Sequence, residues 1–397
     1  MISISSAERI IRRQTGAGPA ERIAIFDAVG RILAEDVIAD TDLPPFNRSQ
    51  MDGYAVIASD TANAPAELRI IGESSAGHGW DGRVRRGESV RIMTGARVPK
   101  GADAVQRVER TSESGGTVTI KEAVAKRTSI VPKGSEVRKG RRVLRIGDRI
   151  TPNNISAAAA FGYAKVLVGR RPRVAILSTG DEIVEIATKP KPDQIRNSNS
   201  VMLKALAEAA GAECELLAKA GDDLASIKQQ IKAASRKKDV LLTTGGVSVG
   251  KYDLTKVALH ELGAEVFFEK LRLKPGKPMI FARLGKMLIF ALPGNPVSAT
   301  VTYQLFVRPA LLRMQGVRSS GLEWATAVAA KRVKAAVGRD TFVNARLSTD
   351  EKGTLIATPL RTSGSSDLVG YSAAEALIFA PADSVIEAGE AARIVFV

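Results

Sequence analysis

From Arg173 to about Leu312 the chain alternates short apolar runs with helical patterns, and this alternation constrains the fold more than any other feature. The apolar runs fall at residues 174–177, 215–218, 240–242 and 266–268. Between them lie helical patterns at about 200–210, stopped by Gly211, then one opened by Asp222 or Asp223, then 254–262. A hairpin-like pair at 279–281 and 287–292 leads into a long helix from Pro296 to about Leu312. Strands separated by helices in this way imply a doubly wound α/β domain, a parallel sheet covered on both faces. Ligands of such sheets bind beyond the C-terminal strand ends.

Three segments fall at those ends. Leu177 is followed by Ser178-Thr179-Gly180-Asp181-Glu182, and Leu292 by Pro293-Gly294-Asn295-Pro296-Val297-Ser298. Leu242 is followed by Thr243-Thr244-Gly245-Gly246-Val247-Ser248-Val249-Gly250-Lys251-Tyr252-Asp253. A glycine-dense turn between a buried strand and a helix leaves backbone N–H groups free at a positive helix end, which suits a phosphate. Glycines that serve only the turn are the alternative. Residues 245–251 fit the Walker A spacing, but Tyr252 stands where that motif places Ser or Thr, and the strand at 287–292 ends in Pro-Gly-Asn-Pro without an acidic metal ligand. Asn295 is placed to cap the helix that Pro296 begins. Asp181, Glu182 and Asp253 are candidate metal or oxyanion-organising carboxylates, or simple helix caps. In Lys274-Pro275-Gly276-Lys277-Pro278 the prolines fix φ and Gly276 allows a positive value, so two lysines sit on a rigid turn.

Composition narrows the chemistry. A single cysteine, Cys214, excludes internal disulfides and thiolate metal clusters and fits a reducing cytoplasm. Two histidines, His78 and His260, argue against a His-based zinc site or a catalytic triad. Any metal work therefore falls to carboxylates, hydroxyls and carbonyls, favouring Mg²⁺ or an oxyanion substrate. The formal charge is +16, but the basic residues are scattered and aromatics are only 5%, so attraction of a polyanionic small molecule explains the sign as well as nucleic acid does. No apolar stretch is long enough for a membrane span.

The 397 residues suggest two to four domains. Ser5-x-x-Glu8 reads as a capping box, and a second helical pattern runs from 21 to 38. From about 42 to 150 short β runs appear, such as 68–71, 89–93 and 117–120, before an alanine-rich helix at 151–162. This β insertion carries a binding-loop-like stretch, Leu43-Pro44-Pro45-Phe46-Asn47-Arg48-Ser49-Gln50-Met51-Asp52-Gly53-Tyr54-Ala55-Val56. The tail from about 321 returns to β texture, a small barrel or sandwich.

These motifs together with Ile92-Met93-Thr94-Gly95-Ala96 run in order along the chain and resemble the molybdopterin molybdenumtransferases, the bacterial MoeA type also seen as the C-terminal domain of gephyrin. The resemblance implies a split helical domain (1–43 plus 145–170), a β-rich insertion (44–144), a molybdopterin-binding α/β domain (171–318) and a C-terminal β-barrel (319–397). It implies a cytoplasmic homodimer with its site between the α/β domain of one subunit and the insertion of the other, in contact with molybdopterin adenylyltransferase and molybdoenzymes. The implied reaction takes adenylylated molybdopterin and molybdate with Mg²⁺, and releases AMP and finished cofactor. Asp52, Thr94, Glu182, Asp253, Lys274 and Lys277 match the family's functional positions, with Glu182 and Asp253 as metal ligands. The cofactor-binding set is Ser178, Thr179, Gly180, Asp181, Gly245, Gly246, Ser248, Gly250, Pro293, Gly294, Asn295 and Ser298. Molybdopterin adenylyltransferase and a catalytically impaired, scaffold-type paralogue are the alternatives; the Asp52 loop argues against the first, and the lack of a second oligomerising domain against the scaffold. Four places depart from the family pattern: Asn47-Arg48 where Asp-Asn is common, Gln106-Arg107 in a usually apolar run, Glu136 for Asp, and Lys251 for an acidic residue.

Overall fold

The computed structural model describes residues 1–246, 254–361 and 363–397, and these form two compact units. The larger comprises Met1–Glu35, Ile146–Pro152 and Lys165–Val397; the smaller comprises Asp36–Arg145 and Asn153–Ala164.

Helix α1 (Ile4–Gln14) opens the larger unit. Its cap is Ser3, whose hydroxyl accepts the Ser6 N–H at 3.2 Å, so the expected capping box at Ser5 and Glu8 lies inside the helix instead. The helix expected over 21–38 is absent. Ala20–Ala24 is a strand paired antiparallel with Lys165–Gly169, and a 3-10 turn follows at Ile25–Asp27. Local propensity is a weak prior, and pairing with a partner distant in sequence overrides it here.

The smaller unit is built on a six-stranded sheet in the order Ala104–Arg107, Gly53–Val56, Glu88–Ile92, Ala66–Ser74, Thr117–Ile120, Thr111–Ser114. Alternating side chains supply two clusters, one around Tyr54, Val56 and Ile120, the other around Ala55, Val90 and Ile92. Helix α2 (Pro152–Ala160) falls where the alanine-rich pattern places it. Two departures from the family pattern answer each other: Arg48 and Glu136 lie 3.7 Å apart as an ion pair. Asn47 Oδ1 accepts the Lys133 N–H, and Gln106 Nε2 donates to the Glu122 carbonyl.

In the larger unit a six-stranded sheet runs Glu213–Leu216, Arg173–Ser178, Val240–Thr244, Met287–Leu292, Pro278–Leu284, Glu265–Lys270. The first four strands are parallel. The expected hairpin is present, turning at Gly285-Lys286 with φ +61° at Gly285. It sets Pro278–Leu284 on the outer edge, so Glu265–Lys270 can join only there, antiparallel, where the alternation suggests another parallel strand.

Val174, Ile176, Leu242 and Phe290 face α3 (Ser198–Ala209) and the helices after Pro296. Ala175, Leu177, Leu241 and Ile289 face α4 (Leu224–Ser235) and α5 (Leu254–Glu261). Burial on both faces is why these strands read as unbroken apolar runs. Asp223 caps α4, accepting from Ala225 and Ser226 at 3.3 and 2.8 Å. The long last helix is α6 (Pro296–Thr302), a π segment (Tyr303–Val307) and α7 (Arg308–Met314). Pro309 has no N–H for the Leu305 carbonyl, and the change of pitch falls directly before it.

The tail is a closed five-stranded barrel: Asp340–Thr349, Leu355–Pro359, Trp324–Ala329, Ala391–Phe396 and Ala376–Ala380, which pairs back to the first. Alanines crowd its interior, whereas Phe342, Leu377 and Val395 on its outside join the α/β core. Leu273–Lys274 runs parallel to the first barrel strand, with Leu273 opposite Asp340 and Lys274 opposite Thr341.

Candidate active site

A cavity of about 720 Å³ opens within the larger unit, beyond the ends of the parallel strands. Its floor is Glu182, Gly245, Gly246, Pro293, Gly294 and Asn295. The basic turn, Lys274 to Pro278, forms one wall. The opposite wall comes from the barrel side: Lys334, Arg339, Thr341 and Asn344, with Gly364 and Ser365.

Local chemistry explains the floor. A Cβ on Gly294 would lie 3.6 Å from the Gly245 Cα, so the two loops pack backbone against backbone. Asn199, in the first turn of α3, ties them by donating to the Gly294 carbonyl at 2.6 Å and the Thr244 hydroxyl at 2.9 Å. Gly245 and Gly246 hold φ of +91° and +64°, values that favour glycine. Gly180 (φ +118°) lets Glu182 fold back over the strand end, because a Cβ there would sit 2.3 Å from Glu182 Oε2. Gly276 takes the positive φ expected of it, +108°, packed against Thr302.

Not every expected residue reaches the cavity. Asp181 is engaged in holding the backbone, since its carboxylate accepts the Asp222 N–H at 3.0 Å. Ser178 accepts from Asn197, and Thr179 donates its N–H to the Thr244 carbonyl; both stand behind the floor. Ser298 lines the cavity but is buried. Asn295 begins α6 without capping it through its side chain, and its Nδ2 donates to Ser365 Oγ at 2.8 Å, tying α6 to the barrel side. Asp52 and Thr94 come together in the smaller unit, where Asp52 Oδ1 accepts the Thr94 N–H at 2.6 Å. That bond holds the Asp52 carboxyl below its ordinary value. Ser248, Gly250 and Asp253 lie outside the described residues, as does Lys251.

The barrel wall escaped the sequence reading. Lys334 and Arg339 join Lys274 and Lys277, and none of the four has an ion-pair partner among the described residues. The one hint is the turn at Gly338, next to Arg339. Their arrival depends on the Leu273–Lys274 pairing with Asp340–Thr341, a register set between segments far apart in the chain. Four unpaired cations around a glycine-rich floor can hold phosphates or an oxyanion.

Comparison with known proteins decides the family. Profiles match the MoeA N-terminal region (domain I and II) at residues 2–162, a probable molybdopterin binding domain at 175–313 and the MoeA C-terminal region (domain IV) at 326–396. The molybdopterin molybdenumtransferase of Bacillus subtilis (strain 168) is 37% identical over 96% of this chain and 90% of its own. The chain belongs to the molybdopterin molybdenumtransferase family. Its relative of that name from Staphylococcus aureus (strain COL) is 39% identical over 78% of this chain and 74% of its own. The crystal structure of the molybdopterin biosynthesis MoeA protein from Pyrococcus horikoshii OT3 superposes with a TM-score of 0.86 at 30% identity, covering 100% of both chains. The multidomain architecture, a central α/β domain with a C-terminal barrel, is thus that of the molybdenumtransferase family.

Proposed function

We propose that the cation-lined cavity binds adenylylated molybdopterin and molybdate, and that the chain transfers molybdenum to the pterin dithiolene with release of AMP. Family membership makes the chain a molybdenum-transferring enzyme of molybdenum cofactor biosynthesis. The observation that carries the finer reading is the set of four cations, without ion-pair partners among the described residues, that face a glycine floor. A phosphoanhydride and a tetrahedral oxyanion both need such charge, more as the anhydride breaks than in the ground state.

Lys274 and Lys277 would hold phosphate oxygens from the rigid turn, with Lys334 and Arg339 facing them from the barrel side. Attack of water on the anhydride phosphorus breaks the P–O–P bond, AMP leaves, and the pterin keeps its own phosphate. Glu182, which lines the cavity floor, would orient that water. Mg²⁺ commonly takes one or two carboxylates plus substrate phosphates; Glu182 would supply one from the cavity floor, and Asp253, the other carboxylate of this reading, lies outside the described residues. Among the described residues no group of three or more His, Cys, Asp or Glu could form an all-protein metal cage. Bound there, Mg²⁺ would neutralise phosphate charge.

The Asp52–Thr94 pair belongs to the same reading as part of a cytoplasmic homodimer, with the pair of one copy serving the cavity of the other. The Thr94 N–H holds the Asp52 carboxylate in place, so the two residues that match the family's functional positions form one local group. A lone cysteine fits the cytoplasmic part of that reading, as a reducing compartment favours. Among the described residues no helix is long and apolar enough to cross a membrane. Incubating purified protein with adenylylated molybdopterin, Mg²⁺ and molybdate tests the proposal: AMP and metal-loaded pterin should appear together, and no AMP beyond a protein-free control would end it.

A further inference from the structure

Asn344 sits on the barrel strand Asp340–Thr349 between Val343 and Ala345, which pack into the barrel interior. Alternation along the strand puts Asn344 on the outer side with Phe342, facing the cavity. The residue is 5% exposed, and its Oδ1 is fully buried without a hydrogen-bond partner among the described residues. Its backbone is already employed, with the carbonyl accepting the Leu360 N–H at 2.8 Å. Nothing in the barrel therefore requires the carboxamide.

Buried polar groups are nearly always matched, and leaving an acceptor unmatched is costly. An apolar side chain of the same size would avoid that cost. The neighbouring wall groups, Lys334 and Arg339, suit anions. A neutral carboxamide adds little to holding phosphate, but it offers one acceptor and two donors on a head that turns readily about χ2. That is the chemistry for reading the edge of a nitrogen heteroaromatic ring. Buried Phe342, also on the cavity wall, supplies apolar surface beside it.

We propose that Asn344 is a specificity-determining residue that hydrogen-bonds the neutral donor–acceptor edge of the substrate's nitrogen heteroaromatic ring. The proposal rests on the function proposed above. Adenine and pterin both present such an edge, and separate ligands distinguish them. Wild type and Asn344→Leu are titrated calorimetrically with AMP, with anaerobically prepared molybdopterin, and with inorganic pyrophosphate, which has no ring; Tm is measured for both proteins.

Asn344→Leu should bind one ring ligand about 3- to 10-fold more weakly, the fold-change for one lost neutral hydrogen bond. Whichever ligand it is names the end that Asn344 reads. Pyrophosphate affinity should not change, and Tm should stay level or rise because the unmatched acceptor is gone. The proposal is overturned if both ring ligands bind as to wild type, if all three ligands weaken alike, or if the variant loses Tm or fails to fold. Wild type that binds none of the three would sink the parent reading along with it.

Discussion

Gly180 shows how one missing side chain positions a functional group. With φ +118° and the Glu182 carboxylate only 2.3 Å from where a Cβ would stand, Gly180→Ala must displace that carboxylate or strain the strand end. We expect a loss of about 1–3 kcal/mol in denaturant unfolding together with slower AMP release. Release at the wild-type rate would separate Glu182 from the chemistry. Asp52 makes a second prediction at this scale. The Thr94 N–H stabilises its charged form, so its pKa in the folded protein lies below 3.8. The hydrogen bond's contribution is therefore complete above the unfolded value and is lost only as pH falls through the lower, folded one. Carboxyl-detected NMR titration should give a midpoint below 3.8, and a midpoint at or above that value would mean that the bond does not persist in solution. Lys274, Lys277 and Glu182 were legible in the sequence because each lies in a turn of unusual composition next to a strand. Lys334 and Arg339 were not, since a basic residue in a barrel loop carries no local mark of what it faces.

At the scale of elements, apolar runs buried on both faces declared the central sheet, and Asp223 and Pro296 marked the starts of their helices. The segment at 21–38 is not helical because the helical spacing of apolar residues there competes with pairing to Lys165–Gly169, which lies across the whole insertion. The same blindness to non-local register hid the pairing of Lys274 with Thr341 that brings barrel and basic turn together. Asp223→Ala removes two capping bonds from α4 and should cost about 1 kcal/mol in a urea melt. With α4 remote from the cavity lining, molybdenum transfer should remain at the wild-type rate; a large loss of activity would show that α4 has a role beyond packing.

For the molecule as a whole, a net charge of +16 suits the phosphate-bearing substrate proposed above, and four of the cations line one cavity without an ion-pair partner among the described residues. Charges this exposed to solvent are screened over about 10 Å at roughly 0.1 M salt. The KM for adenylylated molybdopterin should therefore rise steeply between about 0.05 and about 0.5 M KCl, while kcat changes less. A KM independent of salt would remove the electrostatic part of the account. Mixing also reports on assembly. If the Asp52 pair of one copy serves the other's cavity, inactive Asp52→Ala and inactive Lys274→Ala chains, co-refolded, should recover about a quarter of wild-type turnover, since random pairing makes half the dimers mixed, each with one intact site. No recovery would confine each site to one chain.

The central claim is that the basic turn supplies charge to a breaking phosphoanhydride, and single-turnover AMP release by the double variant Lys274→Ala, Lys277→Ala tests it most directly. The account predicts release slowed by at least on the order of 100-fold with an unchanged Tm. Release at the wild-type rate from the folded variant would contradict it.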